Sequence, residues 1–268
     1  MIKRNLNGSS LFFPQDEKIS FDEPTHTYRV ENIGVMTPVS TVIGRFFRAF
    51  DAEYWSMRKC NNDVLAAAKL REEWAAKGAM SSQAGTHLHR QIERYVNGET
   101  DFEPRCVVSF NGEYVHREEC VDISREWGFF KRFDQDVDYS PFRTEWCVYD
   151  VEARMAGTID LLCAREDGSY EMYDWKRSCK VDPDECNRWA SGLNGLEHLT
   201  DTAYSHYCLQ QNLYRYMLER NYGLKVKRMN LVVLHPTLES YRIVPVPIMD
   251  REVAIIIDLM RRGLCRIY

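Results

Sequence analysis

The chain has no apolar run approaching the roughly 20 residues that cross a bilayer as a helix, so a helical membrane anchor is not expected. Its opening residues, Met1-Ile2-Lys3-Arg4-Asn5-Leu6-Asn7-Gly8, lack the apolar stretch of a secretory signal. The nearby Asp16, Glu17, Asp22 and Glu23 run against a transit peptide, so an intracellular location is expected, whether cytoplasm, nucleoid or organelle. Cysteine spacing is also uninformative in a useful way. The nine cysteines are odd in number and scattered, which favours reduced thiols over a disulfide framework. Excess positive charge is missing too. A net charge of −5 argues against a protein that coats nucleic acid, but it leaves room for an acidic site beside a local basic groove. No repeat, low-complexity tract or Pro/Gly-rich linker divides the chain. Residues 1–268 are therefore expected to form a single domain, with ample material for a core.

What is present reads as alternating strands and helices. Thr25–Val30 has the pattern of a strand, followed by a turn at Asn32-Ile33-Gly34 and a second extended piece over Val35–Val39. Ser40 or Thr41 is placed to cap a helix carrying Val42, Ile43, Phe46 and Phe47. Asp63–Lys77 is rich in Ala, Leu and Glu and predicts a helix stopped by Gly78; Ser82–Asn97 predicts another. The N-terminal part, about 1–80, thus forms a β-hairpin and helical extension. Residues 98–121 are polar and aperiodic and read as a loop-rich insertion. Trp127, Phe130 and Phe133 mark a helix over Ile123–Phe133. Three strands are expected over Phe142–Tyr149, Glu152–Ala164 and Tyr170–Arg177, turned by Asp150-Val151 and Glu166-Asp167-Gly168. After a polar loop, 178–201, a helix is expected over Ala203–Asn221. Strands over Met229–Leu234 and Tyr241–Val246 and a helix over Arg251–Arg262 complete the order. This order implies an α/β fold with a mixed central β-sheet flanked by helices.

Charged residues inside apolar strands draw the eye, because an unpaired buried charge is expensive. Alternation places Asp174 and Lys176 on one side of the Tyr173-Asp174-Trp175-Lys176 strand, with Tyr173 and Trp175 on the other. A hairpin with Gly157-Thr158-Ile159-Asp160-Leu161-Leu162 brings in Asp160. Two convergent acids can hold a hard cation, and an ammonium beside them can stabilise an anionic transition state. An exposed pair of this kind is otherwise a surface ion pair of little worth. In Gly85-Thr86-His87-Leu88-His89-Arg90-Gln91-Ile92-Glu93, His89 and Glu93 share a helical face one turn apart, either as a surface contact or facing a cation. His87 points elsewhere and reads as a surface or capping residue. Gln210 and Tyr214 are likewise four apart and able to donate to phosphate oxygens or to hold the lysine, or else to face solvent and core.

The succession Gly-X-X-X-His-X-X-X-Glu, Gly-Thr-X-Asp, Asp-X-Lys and Gln-X-X-X-Tyr, over residues 85–214, resembles the PD-(D/E)XK nuclease superfamily and its RecB-like branch. That branch includes the mitochondrial genome maintenance exonuclease. The resemblance implies a restriction-endonuclease-like core and a divalent-metal-dependent deoxyribonuclease. It makes His89, Asp160, Asp174 and the main-chain carbonyl of Trp175 metal ligands and Lys176 the catalytic lysine. Glu93 becomes a group behind the ligands or a ligand of a second metal, Gln210 and Tyr214 contact the nucleic acid, and Glu145 is a further acid. Mg²⁺ or Mn²⁺ is the expected ion, since oxygen ligands suit Mg²⁺ and the imidazole shifts preference towards Mn²⁺. Several members of the branch hold an iron–sulfur cluster with three closely spaced cysteines after the last motif. Here only Cys265 follows Tyr214, so no cluster is expected. The expected partner is DNA, single-stranded or with free ends, cut exonucleolytically. The aromatic and basic Phe46–Trp55 stretch, with Phe46, Phe47, Arg48, Phe50, Tyr54 and Trp55, is suited to stack unpaired bases or to serve the core. An RNA endonuclease, or a non-cleaving nucleic-acid-binding protein on the same fold, is the alternative.

Overall fold

A computed structural model describes residues 13–187 and 190–263, so Met1–Gly8 and Cys265 lie outside the described residues. In chain order, strands β1 (Ile19–Asp22), β2 (Thr27–Val30) and β3 (Gly34–Pro38) lead into helices α1 (Val39–Gly44), α2 (Ala52–Lys59) and α3 (Val64–Val96). Strands β4 (Arg105–Asn111) and β5 (His116–Asp122) and helix α4 (Ser124–Asp136) precede β6 (Ser140–Asp150), β7 (Met155–Ala164) and β8 (Tyr170–Lys176). Helix α5 (Ala203–Met217) runs into a π-type turn, Leu218–Tyr222. Strands β9 (Val226–Val233) and β10 (Arg242–Pro245) and helix α6 (Asp250–Arg261) follow. None of the helices among the described residues is long and apolar enough to cross a membrane.

The chain groups into two compact units. The first holds β1–β3, α1, β6–β10, α5 and α6; the second holds α2, α3, β4, β5 and α4 with residues 234–241. The chain leaves the first unit after Arg48 and re-enters it at Val137, so no single linker separates the two, and none is visible in composition.

The first unit is built on a mixed eight-stranded sheet with helices packed on it. The central strands β7 and β9 are largely buried on both faces and read as nearly continuous apolar runs. Strand β6 pairs with β7 along its length, from Ser140 opposite Ala164 to Asp150 opposite Met155. The other edge of β7 is shared. Strand β3 lies parallel to it at Met155 and Ala156, and β8 antiparallel to it at Leu161–Ala164. Among the described residues no strand pairs with Gly157–Asp160 on that edge. Strand β9 runs parallel to β8, and β10 antiparallel to β9. The N-terminal strands are part of this sheet, because Ile19, Tyr28, Val30 and Met36 share a buried cluster with Tyr149 and Ala156. The strand β1 has no counterpart in the sequence reading. Helix α1 starts behind Pro38 without a side-chain cap, so Ser40 and Thr41 sit inside it and do not cap it.

The second unit corrects two expectations. The two helices foreseen on either side of Gly78 are one helix of 33 residues. The Asp63 carboxylate caps it by accepting the Ala66 N–H at 3.0 Å. Gly78 lies in open space mid-helix, and its cost of roughly 1 kcal/mol is outweighed by the strong helix formers around it. The helix ends at Asn97, where Gly98 takes φ +86°. Residues 98–121, expected to be loop-rich, contain the β4–β5 hairpin. Both faces of β5 are largely exposed and charged, which hides its alternation. Partners on α3 supply the order: Val108 packs on Met80 and Ala84, and Glu72 accepts the N–H groups of Glu113, Tyr114 and Val115 at 2.9, 2.7 and 2.8 Å.

Candidate active site

The open edge of β7 sets the site. The β7–β8 ladder ends at Leu161 opposite Tyr173. Beyond it, the Asp160 carboxylate takes over and accepts the Trp175 N–H at 2.8 Å. Asp174 is 3% exposed, the burial that makes its charge costly without partners. One of its oxygens pairs with Lys176 Nζ at 2.5 Å and the other accepts from Gln211 Nε2 at 2.9 Å. Lys176 Nζ also lies 3.5 Å from Gln210 Oε1 and 4.4 Å from the centre of the Tyr207 ring. Burial works to lower the lysine pKa, but Asp174 and then Asp160 outweigh it, so the pKa is raised and the group is held as an ammonium.

Helix α5 backs this cluster. Tyr207, Gln210, Gln211 and Tyr214 recur at helical spacing and share a face. Gln210 Nε2 donates to Tyr214 Oη at 3.0 Å. Burial holds the Tyr214 hydroxyl well above its ordinary pKa, so it stays a neutral phenol. The ring packs closely against Gly157. A Cβ there would fall 2.6 Å from Tyr214 Cε1, and this accounts for glycine in the Gly-Thr-X-Asp motif. Thr158 meets Tyr28 Oη at 2.9 Å, which ties the N-terminal strands to the same segment.

Glu145 adds a third carboxylate. It sits on β6 between the Thr144–Leu161 and Trp146–Ile159 pairs, across from Asp160, and takes φ +45°. A residue other than glycine is uncommon there, and such outliers gather at functional sites. Its carboxylate and that of Asp160 present oxygens within 4.8 Å of each other.

Asp160, Asp174, Lys176, Gln210 and Tyr214, all foreseen from the sequence, therefore sit together in the first unit with Glu145. Gln211 and Tyr207 were missed, although their i+1 and i−3 spacing from Gln210 on the helix was the available signal. His89 and Glu93 belong to the second unit, half-buried and one turn apart on α3. His87 bonds the main-chain carbonyl of Glu103 at 2.8 Å, a structural role.

No family model and no curated protein matches this chain. Among solved structures, a crystal structure of SSO0001 aligns with 84% of this chain and 75% of its own at 12% identity, with a TM-score of 0.34.

Proposed function

We propose that the first unit is a restriction-endonuclease-like core of the PD-(D/E)XK type and that the protein is a divalent-metal-dependent deoxyribonuclease. The observation that carries this reading is the convergence of Asp160, Asp174 and Lys176 at the end of β8. The donor set fits a hard cation: Asp160 and Glu145 present carboxylate oxygens within 4.8 Å of each other, beside buried Asp174. On this reading Asp160 and Asp174 hold Mg²⁺ or Mn²⁺ with the Trp175 carbonyl, and Glu145 is a further acid. Such an ion supplies Lewis-acid activation of water and phosphate.

The chain's own residues do the remainder. Lys176, kept cationic by its acids, donates to a non-bridging phosphate oxygen and stabilises the charge that grows there. Gln210 and Tyr214, bonded to each other at 3.0 Å, position the lysine and the scissile strand. A single strand with a free end is the proposed substrate. The test is incubation of the protein and Mn²⁺ with end-labelled single-stranded, duplex and flap DNA, with matched RNA and with a closed single-stranded circle. Ion-dependent trimming of the linear DNA strand is expected. Cleavage of RNA alone would sink the DNA assignment, and equal rates on circle and linear strand would remove the need for an end.

A further inference from the structure

The second unit contains a cavity of about 350 Å³ lined by Phe50, Trp55, Lys59 and Trp74, large enough for a small planar group. Phe50 is 67% exposed, Tyr54 52% and Trp55 41%, whereas Phe46 and Phe47 of the same stretch are buried in the first unit. The sequence builds this feature deliberately. Asp51 caps α2 by accepting the Tyr54 N–H at 2.8 Å, and Trp55 and Lys59 share a face of that helix one turn apart. Buried Ser56 receives Arg71 from α3 at 3.0 Å, which binds α2 to the helix that carries Trp74. Phe50 then meets Trp74 edge-on at 5.6 Å, and Tyr54 meets Trp55 at 5.2 Å.

The charges over these rings are positive in a protein of net charge −5. Lys59 Nζ lies 5.4 Å from the centre of the Trp74 ring, and the Arg58 guanidinium 5.6 Å from that of Trp55. The acids next to Trp74 are turned to other work. Glu72 holds the hairpin N–H groups, and Glu73 pairs with Arg117 at 2.5 Å. Exposed aromatic faces under cations repel a cationic ligand and suit a flat π-system that carries anions.

We propose that this pocket stacks an unpaired nucleobase of a single-stranded nucleic acid, with Arg58 and Lys59 meeting the flanking phosphates. Such binding needs no cleavage, so it stands or falls apart from the nuclease reading. The experiment is an anisotropy titration of the full chain in EDTA, which keeps hydrolysis out of the readout. The probes are labelled oligo(dT), oligo(rU), an abasic deoxyribose-phosphate strand of equal length and a blunt duplex. Oligo(dT) or oligo(rU) should bind and quench tryptophan fluorescence, and the ratio of the two identifies the strand taken. The duplex, the abasic strand and a Phe50→Ala/Trp55→Ala variant should each show binding weaker by about tenfold or more. Trp55→Phe should restore most of the affinity. Neither replaced side chain is buried, and matching circular dichroism confirms that the variant folds. Wild-type affinity in the double variant, equal binding of the abasic strand, or no binding of either oligonucleotide overturns the proposal.

Discussion

In the proposed reaction Lys176 is the residue on which the chemistry turns, and its partners separate two roles that a simple loss of activity would blur. Asp160 and Asp174 are assigned to the ion, and Lys176 to the phosphate. Titrating Mn²⁺ by calorimetry should therefore show affinity lost in Asp160→Asn and Asp174→Asn, by about tenfold or more. Lys176→Ala should bind the ion as well as the native protein, or better, since a competing cation has left Asp174. Equal binding by all the variants would remove the acids from the metal site. Much of this cluster was legible in the sequence because charges within apolar strands must be partnered, and the alternation of a strand says on which side. Glu145 was weaker in sequence because nothing in residue type reports a φ of +45°. Gln211 was hidden by its neighbour, as two adjacent glutamines give no sign of which one faces Asp174.

At the level of the element, two glycines test whether the packing has been understood. Gly157 is fixed by a neighbour: a methyl group added there collides with the buried Tyr214 ring, whose hydroxyl is bonded to Gln210. Gly157→Ala should destabilise by about 1–3 kcal/mol. The same substitution in a Tyr214→Leu background should cost much less, a coupling that a double-mutant cycle of thermal melts would read directly. Additive effects would show that the ring is not what excludes the side chain. Gly78 is the opposite case. It stands in open space inside α3, so Gly78→Ala should stabilise by about 0.5–1 kcal/mol in urea denaturation. Destabilisation there would mean that the glycine marks a break after all. The sequence suggested such a break because glycine so often ends a helix. Helix continuity depends on the summed propensity of both flanks and on the hairpin packed along α3, and a single residue does not show either. The β4–β5 hairpin was illegible for a related reason. Its order comes from Glu72 and Gln83 reaching over from α3, not from its own alternation.

Across the whole molecule, the strands β6 to β8 and helix α5 followed from the sequence because their burial leaves apolar runs of the right length. The division into two units did not, since the chain crosses between them without a change in composition. The first unit also stores a pH dependence. Burial raises the pKa values of the Tyr28, Tyr173, Tyr214 and Tyr222 hydroxyls and of the Cys163 thiol, and pushes Cys208 to about 11. Lys176 is raised as well: burial pulls its pKa down, but Asp174 and Asp160 more than compensate. Each of these groups has a folded pKa above its unfolded one. Their contribution is full below the unfolded values and is lost as pH rises through the folded ones. The urea midpoint should hold near neutrality and fall steadily above about pH 8.5, where unfolded thiols begin to ionise. A midpoint that rises over that range would contradict the burial of these groups.

The central claim is that Lys176, held by Asp174 and Asp160, completes a phosphodiesterase site. The most direct measurement is single-turnover hydrolysis of an end-labelled DNA strand in Mn²⁺ by the native protein and by Lys176→Ala, with EDTA as the blank. The account predicts ion-dependent cleavage by the native protein and a loss of about a hundredfold or more in the variant. Native-like turnover by Lys176→Ala, or a native protein that leaves every strand intact in the presence of the ion, would contradict it.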